Sequence, residues 1–545
     1  MRELRAVTAT LLRVRGRAAR TGILLRRNWI LTILLVLGLA LRVMATLAYY
    51  PALLYIDSFQ YIQNAYTFQP VSSNPLGYSW FLRVMLEISN LTTIVVVQHL
   101  LGLAMAVTLY ALLRRYQVRR WLAALAVAPL LLDGYQLQIE QNILSEPLFE
   151  ALMVAAIAVL TWNRRPSLRA LGIAGLLIGA SVTVRSVGEV LVIVLIVYPL
   201  IMIRGWRRKT AAAAIAVVGF AIPIAGYAGF YYHRTGLIGL SGQPVDALYG
   251  RAATVADCST LPLTASQKAL CPTQPLGQRE GVDYYLNSPD SPLGRQIADA
   301  AEGRPHVNVS SATSGFVREV ALHQPWALTR AVGDDFLHGF APTSHVAPSD
   351  TPSLRWQFQT TYPVWPPTYS MASATRASAL GGQGAPRVNT GLATILRDYQ
   401  LNGGSTPGPL LGAAALLAVA GCCVWTRRVR DSGLRPVCFV IAAIGLGLLF
   451  ASDVFEYSLR YQLPGIVLLP AAGAAGLSAL TWRWKPGGLM RSRLRPGGSV
   501  AHVPRPSPAA DDTADDNTAE DTADAETAAT EAEAGALRSI GLKRG

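Results

Sequence analysis

Apolar runs long enough for a membrane helix recur along this chain, and the short segments between them collect arginine. A helix needs roughly 20 mostly apolar residues to cross about 30 Å of hydrocarbon. Runs of near that length are predicted as spans over 29–48, 91–113, 121–137, 148–162, 168–184, 188–203, 211–231, 408–425, 437–451 and 462–482. Between the first two lies a polar, aromatic, proline-punctuated stretch, 49–91, expected to form a loop holding a short amphipathic helix over Ile56–Phe68. A long segment, 233–406, is rich in Pro, Gly, Ser and aromatics and lacks a span-length apolar run. The fold class expected is an α-helical polytopic membrane protein with about ten transmembrane helices and a mixed extracytoplasmic domain.

Charge placement orients these elements. The chain has 545 residues, 51% of them hydrophobic and 15% charged, with a formal net charge of +15. That excess sits in short clusters such as Arg114, Arg115, Arg119 and Arg120, then Arg164 and Arg165, then Arg204, Arg207, Arg208 and Lys209, then Arg427, Arg428 and Arg430. This is the positive-inside pattern rather than a nucleic-acid-binding face. The expected organisation is a basic cytoplasmic leader (1–27), a membrane module (28–232), an extracytoplasmic domain (233–406), further membrane helices (407–484) and a cytoplasmic tail (485–545). Both termini are expected inside, in a plasma membrane. The tail's Ala/Thr/Asp/Glu run, Asp511–Glu533, lacks the apolar content to fold.

Of five cysteines, Cys422, Cys423 and Cys438 lie in or beside apolar runs and read as small hydrophobes. Cys258 and Cys271 fall in the extracytoplasmic segment, where a disulfide is expected. No CxxC or His-rich metal spacing occurs, and no metal site is expected from the residues.

The candidate chemistry gathers at one membrane face. Asp57, Tyr61 and Asn64 share one face of the first-loop helix by the i, i+4, i+7 rule, with Phe59, Ile62 and Tyr66 on the other, toward the membrane surface. A carboxylate at Asp57 can take the proton of an attacking hydroxyl; it also reads as a solvated loop acid. The turn 133–150 adds Asp133, Glu140, Glu146 and Glu150. Glu146, between Ser145 and Pro147, equally suits a helix N-terminus. Arg185, with Glu189 nearby, and Arg460, with Tyr461, stand on the face where positive residues are disfavoured. Guanidinium groups there suit phosphate oxygens, or snorkelling and a local Arg185–Glu189 pair. His99, beside Gln98 in the second span, fits a hydrogen bond inside the bundle. Trp326, Trp356, Trp365, Tyr362 and Tyr369 fit either sugar stacking or ordinary packing. Asn90-Leu-Thr and Asn308-Val-Ser match the short glycosylation pattern.

In order along the chain, YIDSFQYIQNA around Asp57, PxGYxxFL (Pro75, Gly77, Tyr78, Phe81, Leu82), SEPLF (Ser145–Phe149), Arg185 and LRYQLP (Arg460, Tyr461) make a pattern. It resembles the GT-C superfamily of integral-membrane glycosyltransferases, nearest to bacterial relatives of the protein mannosyltransferases and aminoarabinose lipid A transferases. The likeness covers about 28–232 and 436–482. The Arg- and Ala-rich composition looks like that of a high-GC actinobacterium, which would put the work in cell wall biosynthesis.

The resemblance implies inverting transfer of a sugar from a polyprenyl-phosphate donor to an envelope glycan, glycolipid or protein, on the outer face. Asp57 would be the base, Arg185 and Arg460 would hold the leaving phosphate, and Glu140 and Glu146 would orient hydroxyls, with Tyr61, Glu189 and Tyr461 lining the substrate site. Protein mannosyltransferases carry an Asp-Glu pair in this loop, whereas Ser58 follows Asp57 here. No cofactor is called for, and a role for a divalent metal stays open. Membrane lipids are the expected surroundings and nucleic acid is not an expected partner. A lipid or solute transporter and a non-catalytic scaffold for envelope assembly are the alternatives. Intramembrane acids strung along one route would favour the transporter.

Overall fold

A computed structural model of the chain describes residues 26–70, 74–241, 244–343, 353–363, 386–424 and 432–481. The acidic tail, most of the basic leader, the Arg427–Arg430 cluster, Trp365 and Tyr369 lie outside these residues. The described chain is helical, and five of its helices are long and apolar enough to cross a membrane.

Helix α1 (Trp29–Ala48) leads into a two-residue strand β1 (Tyr49–Tyr50), then α2 (Ile56–Thr67) and α3 (Gly77–Ile88) of the first loop. Helix α4 (Leu91–Arg115) follows, started by the Asn90 side chain, which accepts from the Thr93 backbone N–H at 3.0 Å. Asn90 of the first glycosylation-type motif is thus a helix cap. Asn308 of the second does the same for a later helix, accepting from the Ser311 N–H at 3.1 Å.

The run expected as one span over 121–137 is broken. It forms α5 (Arg120–Ala126), α6 (Ala128–Leu132) and α7 (Gly134–Gln141). Pro129 has no amide to continue the ladder, and Asp133 turns extended and caps α7 through the N–H groups of Tyr135 and Gln136, at 2.8 and 3.1 Å. The polar stretch GYQLQIEQ, read as an outer turn, is therefore a helix, and all but Tyr135 of it is buried.

Helices α8 (Glu146–Thr161), α9 (Leu168–Val184), α10 (Val192–Met202, entered through a 3-10 turn at Ser186–Leu191) and α11 (Trp206–Thr235) complete the first bundle. Lipid tails are as apolar as the side chains, so burial in such a bundle comes from close packing rather than water exclusion. Small residues supply it: Gly175 and Gly179 of α9 lie against the backbone of Ala216 and Phe220 in α11.

The segment after α11 is helical where described, with α12 (Pro244–Val255), α13 (Ala265–Lys268), α14 (Val282–Asn287), α15 (Pro292–Ala301), α16 (Val309–His323), α17 (Pro325–His338) and α18 (Thr390–Leu401). The mixed character expected for it is corrected: sheet in the described residues is confined to β1 paired antiparallel with β2 (Arg387–Val388), in the register Tyr49–Val388 and Tyr50–Arg387. Tyr249, Leu270, Tyr285 and Phe316 centre a core within this segment, and a disulfide joins Cys258 to Cys271. Phe358, Ala393 and Leu396 instead share a core with Ala45 of α1 and with Tyr49 and Leu53 of the first loop. Helices α19 (Gly408–Cys423), α20 (Leu434–Asp453) and α21 (Leu463–Leu480) end the described chain.

Candidate active site

Local backbone chemistry fixes the first loop. Leu53 donates to the Gln141 carbonyl and accepts from Ile143, both at 3.1 Å, which stitches the loop to the α7–α8 link. The Ser58 hydroxyl accepts from the Tyr55 N–H at 2.9 Å. Ser58 thus starts α2 at the position where the resembled family has its second acid. Asp57 falls in the first turn of α2, where the helix dipole favours a carboxylate. Ile62, expected on the membrane-facing side, is fully buried with Tyr61.

Four distant elements then converge. The Arg460 Nη1 donates to Asp57 Oδ2 at 2.5 Å, and its Nε donates to Glu146 Oε1. Arg185, which ends α9, donates to the same Glu146 oxygen. The Ser145 hydroxyl lies 3.1 Å from the Tyr61 hydroxyl and 3.5 Å from Arg185 Nη1. The Ser145 side chain makes no cap to α8, which starts at Glu146 with Pro147 in its first turn, as the helix-start reading of Glu146 expects. Aromatic rings frame the cations: Arg185 lies over Tyr461 at 5.4 Å, and Arg460 over Tyr55 and Trp356 at 5.7 and 5.6 Å.

Burial gives the cluster its electrostatics. Arg460 is 5% exposed and Glu146 is 5% exposed at the side chain, whereas Asp57 keeps 24% and Arg185 keeps 18%. Burial works against the Arg460 charge, but Glu146 and Asp57 outweigh it and raise its pKa well above the ordinary arginine value. Burial, reinforced by Asp57, pushes the Tyr61 hydroxyl up to about 12, so it stays protonated. Glu146 Oε2 is buried without a hydrogen-bond partner among the described residues, leaving an acceptor for an incoming hydroxyl.

Asp57, Tyr61, Glu146, Arg185, Arg460 and Tyr461 are thus brought together. Glu140 is not among them. It is wholly buried, its oxygens held by Arg42 Nε and Nη2 and by His99 Nδ1, each at 2.9 Å. A carboxylate closed in that way cannot orient a substrate hydroxyl, and the role expected for Glu140 is corrected. Glu189 is exposed, and the Arg185 ion pair is with Glu146 rather than with it. Glu189→Gln is expected to change activity less than threefold, as surface substitutions usually do little, in any assay that reads the Asp57 cluster. His99 is hydrogen-bonded inside the bundle. Trp326 is 76% exposed, Trp356 is buried, and the Tyr362 hydroxyl is tied to the Ala52 carbonyl at 2.9 Å.

Arg42 was not singled out from the sequence, although an arginine in the middle of the first apolar run demands a partner. Gly102 makes room for its pair, because a Cβ there would collide with the Glu140 carboxylate and crowd Arg42. Gly102→Ala is expected to destabilise the protein by about 1–3 kcal/mol, the usual cost of overpacking, read as a lower Tm in detergent. Gly77 of the PxGYxxFL stretch similarly lets α3 touch the Thr183 carbonyl, two residues before Arg185. Gly77→Ala is expected to lower activity more than stability, because it displaces the first loop relative to Arg185.

Among the described residues no group of three or more His, Cys, Asp and Glu is placed to hold a metal ion. Within the cluster, the groups facing Asp57 and Glu146 are guanidinium cations.

Residues 73–227, which carry α3 through most of α11 and include Glu146 and Arg185, match the family model described as dolichyl-phosphate-mannose-protein mannosyltransferase. The match covers less than a third of the chain, within its membrane module. A solved structure, the S. cerevisiae protein O-mannosyltransferase Pmt1-Pmt2 complex bound to the sugar donor, overlays with a TM-score of 0.32 and 16% identity. That overlay covers 44% of this chain and 38% of the other, so the chain spans well under two thirds of that protein and the overlay carries no residue correspondence. No curated protein matches the chain. Its apolar helices make this chain a multi-pass membrane protein.

Proposed function

We propose that this protein transfers a sugar from a polyprenyl-phosphate donor to an envelope glycan, glycolipid or protein, with inversion, on the outer face of the plasma membrane. The observation that supports this most is the convergence of Arg460 and Arg185 on Asp57 and Glu146, at the mouth of a bundle whose family match names a lipid-phosphate sugar. Asp57 takes the proton of the acceptor hydroxyl as that oxygen bonds to the anomeric carbon. The bond from that carbon to the phosphate oxygen breaks on the opposite side, and its electron pair leaves with the lipid phosphate. Arg185 and Arg460 face the negative charge that grows there, which preorganised cations in a largely buried site stabilise. The open oxygen of Glu146 holds a sugar or acceptor hydroxyl. The disulfide at Cys258–Cys271 fits an oxidising compartment for that side of the protein.

A passage for ions or lipids is the second reading. The observation favouring it is a run of buried polar groups in which Gln136 links Glu140 and Glu150, at 3.3 and 2.9 Å. Arg42 and His99 close that run at Glu140, which supports a fixed strut rather than a route.

The test uses membranes carrying the protein, polyprenyl-phosphate-linked radiolabelled sugars and a crude envelope acceptor. Label is expected to move to the acceptor with release of polyprenyl phosphate, at a rate that rises with protein level. Label that stays on the lipid with every donor would remove the transferase reading.

A further inference from the structure

Arg460 reaches the Asp57 cluster from a short loop, 454–462, that links α20 to α21. The ends of this loop are tied together by Gln462 Nε2, which donates to Asp453 Oδ1 at 3.2 Å. Its first residues are gripped from outside the membrane module. Arg251 of α12 donates through Nη2 to the Asp453 carbonyl at 3.0 Å and through Nε to the Phe455 carbonyl at 3.2 Å. The same Nη2 pairs with Asp335 of α17. The last carbonyls of a helix lack partners within it and carry its negative end, so a guanidinium fork suits them. Arg251 is buried, which keeps water from competing for those carbonyls. The end of α17 adds two contacts to the loop. His338 meets the Tyr457 ring edge-on with centroids 4.9 Å apart, and a Cβ at Gly339 would collide with the Gln462 amide.

The helix that carries Arg251 is itself braced. Tyr249, Ala252 and Ala253 of α12 lie in the core with Leu270, Tyr285 and Phe316. Arg279 donates to the Ala253 and Ala256 carbonyls at 2.7 and 3.0 Å, which closes the end of α12. The Cys258–Cys271 disulfide follows directly. Arg251 thus projects from a fixed frame onto a loop with little regular structure. Arg460 meets Asp57 and Glu146 through its guanidinium, so the point from which it reaches them is set by the loop backbone.

We propose that Arg251 is a positioning residue for Arg460: it pins the Asp453 and Phe455 carbonyls to the segment after α11, and so sets where Arg460 stands against Asp57 and Glu146. In the transferase reading, on which this rests, that segment is part of the catalytic frame. It lies wholly outside the family match at 73–227.

Two readouts on the full chain in nanodiscs test this, and the first needs no transfer. Hydrogen exchange at 454–462, followed by mass spectrometry, is expected to rise about tenfold in Arg251→Gln, the order that losing a buried charged donor produces. Exchange around Tyr285 and Phe316 is expected to stay unchanged. Sugar transfer is expected to fall about 10–10²-fold, since a shift of roughly 1 Å near the chemistry costs that order. Placed in Arg460→Lys, the same Arg251→Gln change is expected to cost less than about threefold more, because a residue acting through Arg460 has nothing left to position. A merely structural defect would multiply the two losses. Asp335→Asn loosens the same fork from a partly exposed position and is expected to show the same pattern at smaller size, which keeps the test valid if Arg251→Gln folds poorly. Exchange at 454–462 unchanged in both variants, or losses that multiply, overturns the proposal. Raised exchange in the variants beside a wild type that transfers no sugar would sink the transferase reading and leave the hold of Arg251 on the Arg460 loop standing.

Discussion

Arg460→Lys is expected to lower sugar transfer by about 10²–10³, the usual effect of removing one preorganised donor from a developing negative charge. The geometry explains why charge alone does not rescue it. Arg460 reaches Asp57 through Nη1 and Glu146 through Nε, and a lysine ammonium is a point charge that cannot span both at that spacing. Arg460→Ala is expected to add a folding cost. Breaking a buried pair from one side costs about 3–5 kcal/mol. The lower figure applies here, because Arg185 still faces Glu146 and Asp57 is partly solvated. Thermal unfolding in detergent beside initial transfer rates separates the two effects. A lysine variant with near wild-type transfer would remove the two-carboxylate bridge from the mechanism.

The parts of this arrangement that could be read from the sequence share one property. Asp57, Glu146, Arg185 and Arg460 each stand where an apolar run gives way to polar residues. In a polytopic bundle alternate run ends must meet at the same membrane face. That constraint brings Arg460 to Asp57 across a separation of 403 residues, with no local signal linking them. The helices themselves followed from run length, and α1, α4 and α9 begin and end within two residues of the expected spans.

What escaped the sequence reading depended on burial rather than on pattern. GYQLQIEQ is polar enough to pass for a loop, yet Asp133 caps it into a helix whose acid, Glu140, is held by Arg42 and His99. Glu140 therefore went to the wrong cluster. The signal that could have corrected it was Arg42, a charge within an apolar run that needs an acid at the same depth. Trp356 was one aromatic among five in a segment without periodicity. Only the folded chain shows it against Tyr55 and Arg460. Ser58 illustrates the reverse case, where a departure from the resembled family has a local explanation in the start of α2.

The role of Asp57 is the centre of the account. Asn is nearly the same shape, and its side-chain oxygen can still accept from Arg460, so the loop keeps its place while the proton acceptor is lost. The decisive measurement is therefore donor binding and sugar transfer, side by side, for wild type and Asp57→Asn at equal protein level in nanodiscs. Donor binding is expected to stay within about threefold, because the arginines proposed to face the phosphate remain, while transfer falls by about 10²–10⁴, the contribution typical of a general base. Transfer at the wild-type rate in Asp57→Asn would contradict the account and move the base elsewhere.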